Sequence, residues 1–263
     1  MTHIAVNGVD LLTQLDGPED GSWLVLSNSL ATTNAMWDPQ IDLLTQKYRV
    51  LRYDSRGHGG SSAPPAPYSF DDLTADVIGL LDHFGIAKCS FMGLSMGGMT
   101  GLGLALDHAD RIERLVCCDA RADAPPPFVQ GWTDRIAIIR EKGTSALVNG
   151  SLERWFTDAF RAGSPDAVAT ATAMISGTSD EGYIGCAQAI SQLDYLRRLP
   201  NMTIPALYVV GKQDMGAPSE AMAAMAAATP GAEFAEIDPA GHIANWENPG
   251  DFNAAIAPFL GLT

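Results

Sequence analysis

Positive charge is scarce in this sequence: 16 lysines and arginines stand against 31 aspartates and glutamates in 263 residues, a formal net charge of −15. A surface of that sign repels nucleic acid and anionic membranes, which sets both aside as partners. Long apolar runs are missing as well. No segment approaches the roughly 20 apolar residues of a membrane span, and the start, MTHIAVNGVDLL, has neither a positively charged stretch nor a signal-like apolar core. A soluble, cytoplasmic protein is expected. Only four cysteines occur, Cys89, Cys117, Cys118 and Cys186, and no Cys-x-x-Cys pair is among them. Reduced, buried thiols are therefore expected, with no disulfide framework. Nor does the sequence offer a convincing site for a metal or a cofactor.

What is present suits a globular unit with a full core: 46% of residues are hydrophobic and 18% charged. Two short alternating segments, 3 to 7 and 9 to 15, predict a hairpin, and SWLVLSN (22 to 28) a buried strand. Met36, Ile41, Leu43 and Leu44 then fit a helix, YRVLRYD (48 to 54) a strand, and Phe70, Leu73, Val77, Leu80, Leu81 and Phe84 a helix, with Ser69 and Asp72 as its capping pair. A strand at 88 to 94, a helix from 96 to about 108 and a strand at 113 to 119 continue the alternation. Strand and helix in turn predict a mostly parallel sheet covered on both faces.

Between about 122 and 200 that rhythm stops. A Pro-rich entry (Pro125, Pro126, Pro127) leads into weakly periodic, helix-like segments with Trp132, Trp155 and Phe156. The alternation returns with PALYVVG (205 to 211), a helix near 217 to 228, a strand at 232 to 238 and a closing helix near 249 to 260. The expected organisation is an α/β core made of 1–121 and 201–263, interrupted by a helical cap over 122–200.

The strongest chemical signal is Gly93-Leu94-Ser95-Met96-Gly97, set between a predicted buried strand and a predicted helix. The bare five-residue pattern is weak; its placement is what makes it specific. A serine on a tight strand-to-helix turn is held in a strained backbone, with flanking glycines where Cβ atoms would clash, so its hydroxyl stands clear above the sheet. The Met96 amide then lies at a helix N-terminus, suited to a developing negative charge. A second oxyanion donor is expected from Ser27-Asn28-Ser29-Leu30 after the third strand, with the Leu30 amide as candidate.

A serine hydroxyl needs a base, and the base needs an orienting group. Of the five histidines, His3 lies in the first hairpin, and His83 and His108 at predicted helix ends. His242, in Ala240-Gly241-His242 after the last strand, lies at the same sheet edge as Ser95 and is the expected base. His58, in a glycine-rich turn, reads as a structural corner. Asp214, on the loop after residue 211, is the expected acid and completes the chain order Ser, Asp, His; Asp119, at the end of the sixth strand, is its competitor.

These residues resemble the α/β hydrolases related to 3-oxoadipate enol-lactonase. The resemblance rests on Ser27-Asn28-Ser29-Leu30 with Met36-Trp37, Tyr53-Asp54-Ser55-Arg56-Gly57-His58-Gly59, Gly93-Leu94-Ser95-Met96-Gly97-Gly98, Arg154-Trp155-Phe156 and Gly241-His242. It implies an α/β-hydrolase fold with an eight-stranded sheet, a triad of Ser95, Asp214 and His242, and a place in aromatic-compound catabolism. It also implies a substrate with a free carboxylate, for which Arg121 is the candidate anchor. Arg121 also has the ordinary reading of a partner for Asp119 or Asp123. Trp132 and Trp155 are candidates for the pocket roof, or for a small core of the cap.

The expected reaction is cleavage of a carboxylic ester or lactone through an acyl-enzyme on Ser95. General carboxylesterase, thioesterase and carbon–carbon hydrolase activities share such a site, and a slow-turnover small-molecule sensor shares the fold. Turnover separates the sensor from the enzymes. Epoxide hydrolysis and dehalogenation, which need a carboxylate at position 95, are disfavoured. A small molecule is the expected partner, and self-association into a homo-oligomer is compatible with the sequence.

Overall fold

The computed structural model describes residues 1–262. Its strands are β1 (Thr2–Val6), β2 (Val9–Asp16), β3 (Ser22–Ser27), β4 (Tyr48–Tyr53), β5 (Cys89–Leu94), β6 (Ile112–Cys118), β7 (Ala206–Gly211) and β8 (Glu233–Ile237). They form one sheet in the order β1-β2-β4-β3-β5-β6-β7-β8. The β1–β2 and β2–β4 pairs are antiparallel and the rest parallel, so the expected mostly parallel, eight-stranded sheet is present. Every residue of β5 and β7 is buried, as a parallel sheet covered on both faces requires.

Helices α1 (Asp38–Leu44), α2 (Phe70–His83) and α3 (Met96–Asp107) connect the first strands. Between β6 and β7 the chain is helical throughout its regular structure: α4 (Pro126–Lys142), α5 (Val148–Trp155), α6 (Asp158–Gly163), α7 (Pro165–Gly177) and α8 (Asp180–Ile190). The last part adds α9 (Ser219–Ala228), α10 (Ala244–Glu247) and α11 (Pro249–Leu260). None of the described helices is long and apolar enough to cross a membrane.

Local chemistry accounts for these boundaries. The Ser69 hydroxyl accepts the Asp72 amide at 3.2 Å while the Asp72 carboxylate accepts the Ser69 amide at 2.8 Å, so α2 starts on a reciprocal cap. Asn248 caps α11 and Gly261, at φ 67°, ends it. The helix expected through Met36 and Leu44 is instead divided into a 3-10 turn at Asn34–Trp37 and α1 from Asp38. Pro39 explains the division: lacking an amide hydrogen, it fits a first helical turn but not an interior.

Among the contacts that join the β6–β7 helical segment to the rest are two backbone pairings. At its neck the Ala122 carbonyl accepts the amides of Tyr195 and Leu196 at 2.7 and 2.9 Å, so the strands of chain entering and leaving meet. At its far end the Ser179 amide donates to the Gly57 carbonyl at 3.2 Å, and Gly57 and Gly182 touch backbone to backbone. His58 is fully buried beside this contact, with Nδ1 2.9 Å from the Arg56 carbonyl. Arg56 in turn makes a buried ion pair with Asp76 through bonds of 2.7 and 2.6 Å. His58 is thus a corner residue, remote from the site below. All four cysteines are buried and unbridged. Burial pushes the Cys89 thiol up to about 12.

Candidate active site

The carboxyl ends of β3, β5, β6, β7 and β8 share one sheet edge, and the loops leaving them carry Leu30, Ser95, Asp119, Asp214 and His242. Ser95 sits between β5 and α3 at φ 54°, ψ −114°, a conformation costly for any residue with a side chain. The turn closes only because its flanks are glycine. A Cβ on Gly93 would lie 2.2 Å from the Gly97 carbonyl, and one on Gly97 would lie 2.1 Å from the Ser27 carbonyl. The Ser95 amide donates to Cys118 across the sheet at 2.8 Å, which fixes the strained residue in place.

His242 Nε2 lies 2.9 Å from Ser95 Oγ, and His242 Nδ1 lies 2.8 Å from Asp214 Oδ2. Asp214 Oδ1 accepts the amides of Gly216 and Ala217 at 2.7 and 3.1 Å, so the carboxylate cannot rotate away from the histidine. The three residues selected from the sequence thus form one continuous hydrogen-bonded chain. Asp119 does not take the histidine. It is fully buried, its Oδ1 accepts the Gly211 amide at 2.7 Å, and its Oδ2 has no donor among the described residues. Burial, with the Asp214 charge beside it, pushes its carboxyl well above the usual carboxylate range.

The loop after β3 is cross-braced by the Asn28 amide on the Thr32 carbonyl at 2.8 Å and the Ser55 hydroxyl on Asn28 at 3.1 Å. Ala31 at φ 63° turns the chain there, and Leu30 lines the cavity over Ser95. Among the described residues neither the Leu30 amide nor the Met96 amide donates to a protein acceptor, which leaves both free for a ligand oxygen.

The cavity measures about 130 Å³ and reaches from Ser95 and His242 to the helical segment, where Trp132, Arg135, Arg154, Trp155 and Tyr183 face it. Trp155 serves two ends: it lines the cavity and packs edge-on against Phe156 at 6.4 Å. The Trp132 indole N–H is buried without an acceptor among the described residues. Arg121 also lines the cavity, yet its guanidinium is occupied, 3.1 Å from the Asp123 carboxylate and 5.0 Å from the Phe128 ring centre.

Two cations that the sequence reading passed over are free. Arg135 lies 4.4 Å over the Trp132 ring, and Arg154 reaches only the Ser151 hydroxyl, at 3.3 Å. Neither makes an ion pair among the described residues. Burial, then the proximity of Arg135, lowers the Arg154 pKa. Arg135 falls three residues after Trp132, one helical turn, and that spacing was the available signal. Among the described residues no cluster of histidine, cysteine or carboxylate could hold a metal.

Comparison with known proteins agrees with this fold. A family model described as the alpha/beta hydrolase fold matches residues 22–249. Acinetobacter baylyi 3-oxoadipate enol-lactonase 2 is 36% identical over 91% of this chain and 89% of its own. The crystal structure of the enol-lactonase from Burkholderia xenovorans LB400 superposes with a TM-score of 0.96 at 40% identity, covering 99% of this chain and all of that one. A thermophilic esterase from Thermogutta terrifontis with malate bound follows at 0.93 and 27%, covering 99% and 98%. The chain belongs to the α/β hydrolase family.

Proposed function

We propose that the protein is a serine hydrolase that opens a small lactone bearing a free carboxylate, with 3-oxoadipate enol-lactone as the substrate to test first. Ser95 attacks the ester carbonyl while His242 Nε2 takes its proton. The Leu30 and Met96 amides receive the oxyanion, a contribution of about a hundredfold or more per donor. His242 returns the proton to the leaving enolate oxygen; it then takes a proton from water as the water oxygen attacks the acyl carbon, and gives that proton to Ser95 Oγ as the bond from the acyl carbon to Ser95 breaks. Asp214 holds Nδ1 throughout and stabilises the imidazolium. Because the ester is cyclic, both ends stay on one product.

The observation that carries the substrate class is the pair of unneutralised guanidiniums, Arg135 and Arg154, facing the same cavity as Ser95. Two like charges on a partly apolar wall are poorly placed unless an anion joins them, and a carboxylate fits a guanidinium edge in two parallel hydrogen bonds. The enol-lactonase relatives and the malate-bound esterase support an anionic ligand here. Arg121, already paired with Asp123, is a secondary anchor at most in this reading. The site asks for no cofactor, and a small molecule is the partner it fits.

The test is hydrolysis of the enol-lactone beside a neutral short-chain aryl ester. Ser95→Ala should lower both activities by at least about 10⁴-fold. Arg135→Ala and Arg154→Ala should each raise KM for the lactone about tenfold or more while sparing the neutral ester. Equal loss on both substrates would leave a general carboxylesterase.

A further inference from the structure

A buried acid at the end of β6 takes no part in the reaction above. Asp119 has no exposed surface, stands at φ 45°, and forms part of the cavity floor beneath the triad. Its Oδ1 receives the Gly211 amide at 2.7 Å, and the Ala244 amide is close. Its Oδ2, equally buried, has no donor. What lies within hydrogen-bonding reach is another carboxyl group, that of Asp214.

No cation resolves the conflict. Arg121, two residues on, is paired with Asp123, and no lysine or arginine bonds to Asp119 among the described residues. The remaining titratable neighbours are His242, which bonds to Asp214, and the thiols of Cys117 and Cys118, which burial pushes up and keeps neutral. Two carboxylates in contact in a dry site cannot both ionise at modest cost. One shared proton removes the repulsion and gives Oδ2 its missing partner. The side on which it rests follows from the contacts: Asp214 Oδ1 already accepts from Gly216 and Ala217 and its Oδ2 meets His242, whereas Asp119 Oδ2 accepts from no donor among the described residues.

We infer that Asp119 is a positioning residue that keeps its proton and donates it from Oδ2 to the Asp214 carboxylate. This inference rests on the Ser95–His242–Asp214 reading. The bond locks the carboxylate in line with His242 and draws part of its charge away from the imidazole. Without it Asp214 binds the imidazolium more strongly, and His242 is free to act as a base only at higher pH.

The infrared spectrum and the pH profile of the whole protein test this. At neutral pH the wild type should show the carbonyl stretch of a protonated carboxyl that Asp119→Asn lacks. Asp119→Asn, whose amide still donates to Asp214 and whose oxygen still accepts from Gly211, should keep the acid limb of kcat/KM. Asp119→Ala should move that limb up by about one pH unit. No difference in the carboxyl band, an unmoved limb in the alanine variant, or a downward move in the asparagine variant would each overturn the inference. Should the alanine variant not fold, the band and the asparagine profile decide. The band does not depend on turnover, so its absence is distinct from failure of the triad, which retained hydrolysis by Ser95→Ala would reveal.

Discussion

The Trp155 carbonyl accepts the Ile243 amide at 3.2 Å, so the helix that supplies a wall of the cavity also holds the residue beside His242. The histidine loop is therefore positioned from two sides, by β7 beneath it and by α5 above. A Cβ on Gly211 would meet the Gly241 carbonyl at 2.0 Å, and one on Gly241 would meet the Trp155 carbonyl at 2.6 Å.

Gly241→Ala should consequently displace the loop without unfolding the sheet. A shift near 1 Å at a catalytic base costs about a hundredfold in rate. Steady-state kinetics should show kcat falling by about that factor with KM little changed.

Glu247 reinforces the same joint. Its carboxylate accepts the Gly241 amide at 2.8 Å and the Thr157 amide at 3.1 Å, and the Thr157 hydroxyl completes the clamp. Glu247→Ala should lower stability by about 2 kcal/mol, read from urea unfolding, and reduce kcat about tenfold. Glu247→Gln, which keeps one acceptor oxygen, should fall between.

The Arg56–Asp76 pair tests the corner that receives α8. Both side chains are almost fully buried. Asp76→Ala should cost about 3 to 5 kcal/mol, because a buried guanidinium is left without its partner. Chemical denaturation of the two proteins measures the difference.

His58 makes the fold sensitive to acid. Burial lowers its pKa below the ordinary value of 6.5, against smaller opposing effects from the Arg56 carbonyl and Asp54. The unfolded chain thus takes up this proton more readily than the folded one. The contribution to stability is complete above pH 6.5 and is lost as pH falls through that value toward the folded pKa. His58→Gln should show a flatter decline in its urea midpoint between pH 7 and 5 than the wild type.

How much was legible beforehand divides along physical lines. Ser95, Asp214 and His242 could be found because each follows a strand, and strand ends in a parallel sheet share an edge whatever the distant packing. Arg135 and Arg154 could not be picked out so directly, because the helices between β6 and β7 have weak apolar periodicity and their orientation is set by contacts across the chain. Asp119 read as a spare acid for the same reason: burial of a loop carboxyl is a tertiary property. Arg121 lines the cavity, and of the two partners open to it in the sequence, Asp119 and Asp123, the loop conformation selects Asp123.

The Gly57–Gly182 contact has a mechanical consequence. A Cβ on either residue would fall 2.2 or 2.4 Å from the Cα of the other, so the two backbones meet with nothing compressible between them. The joint behaves as a weld whose stiffness owes nothing to rotamer freedom. The start of α8 is therefore pinned to the corner that carries His58.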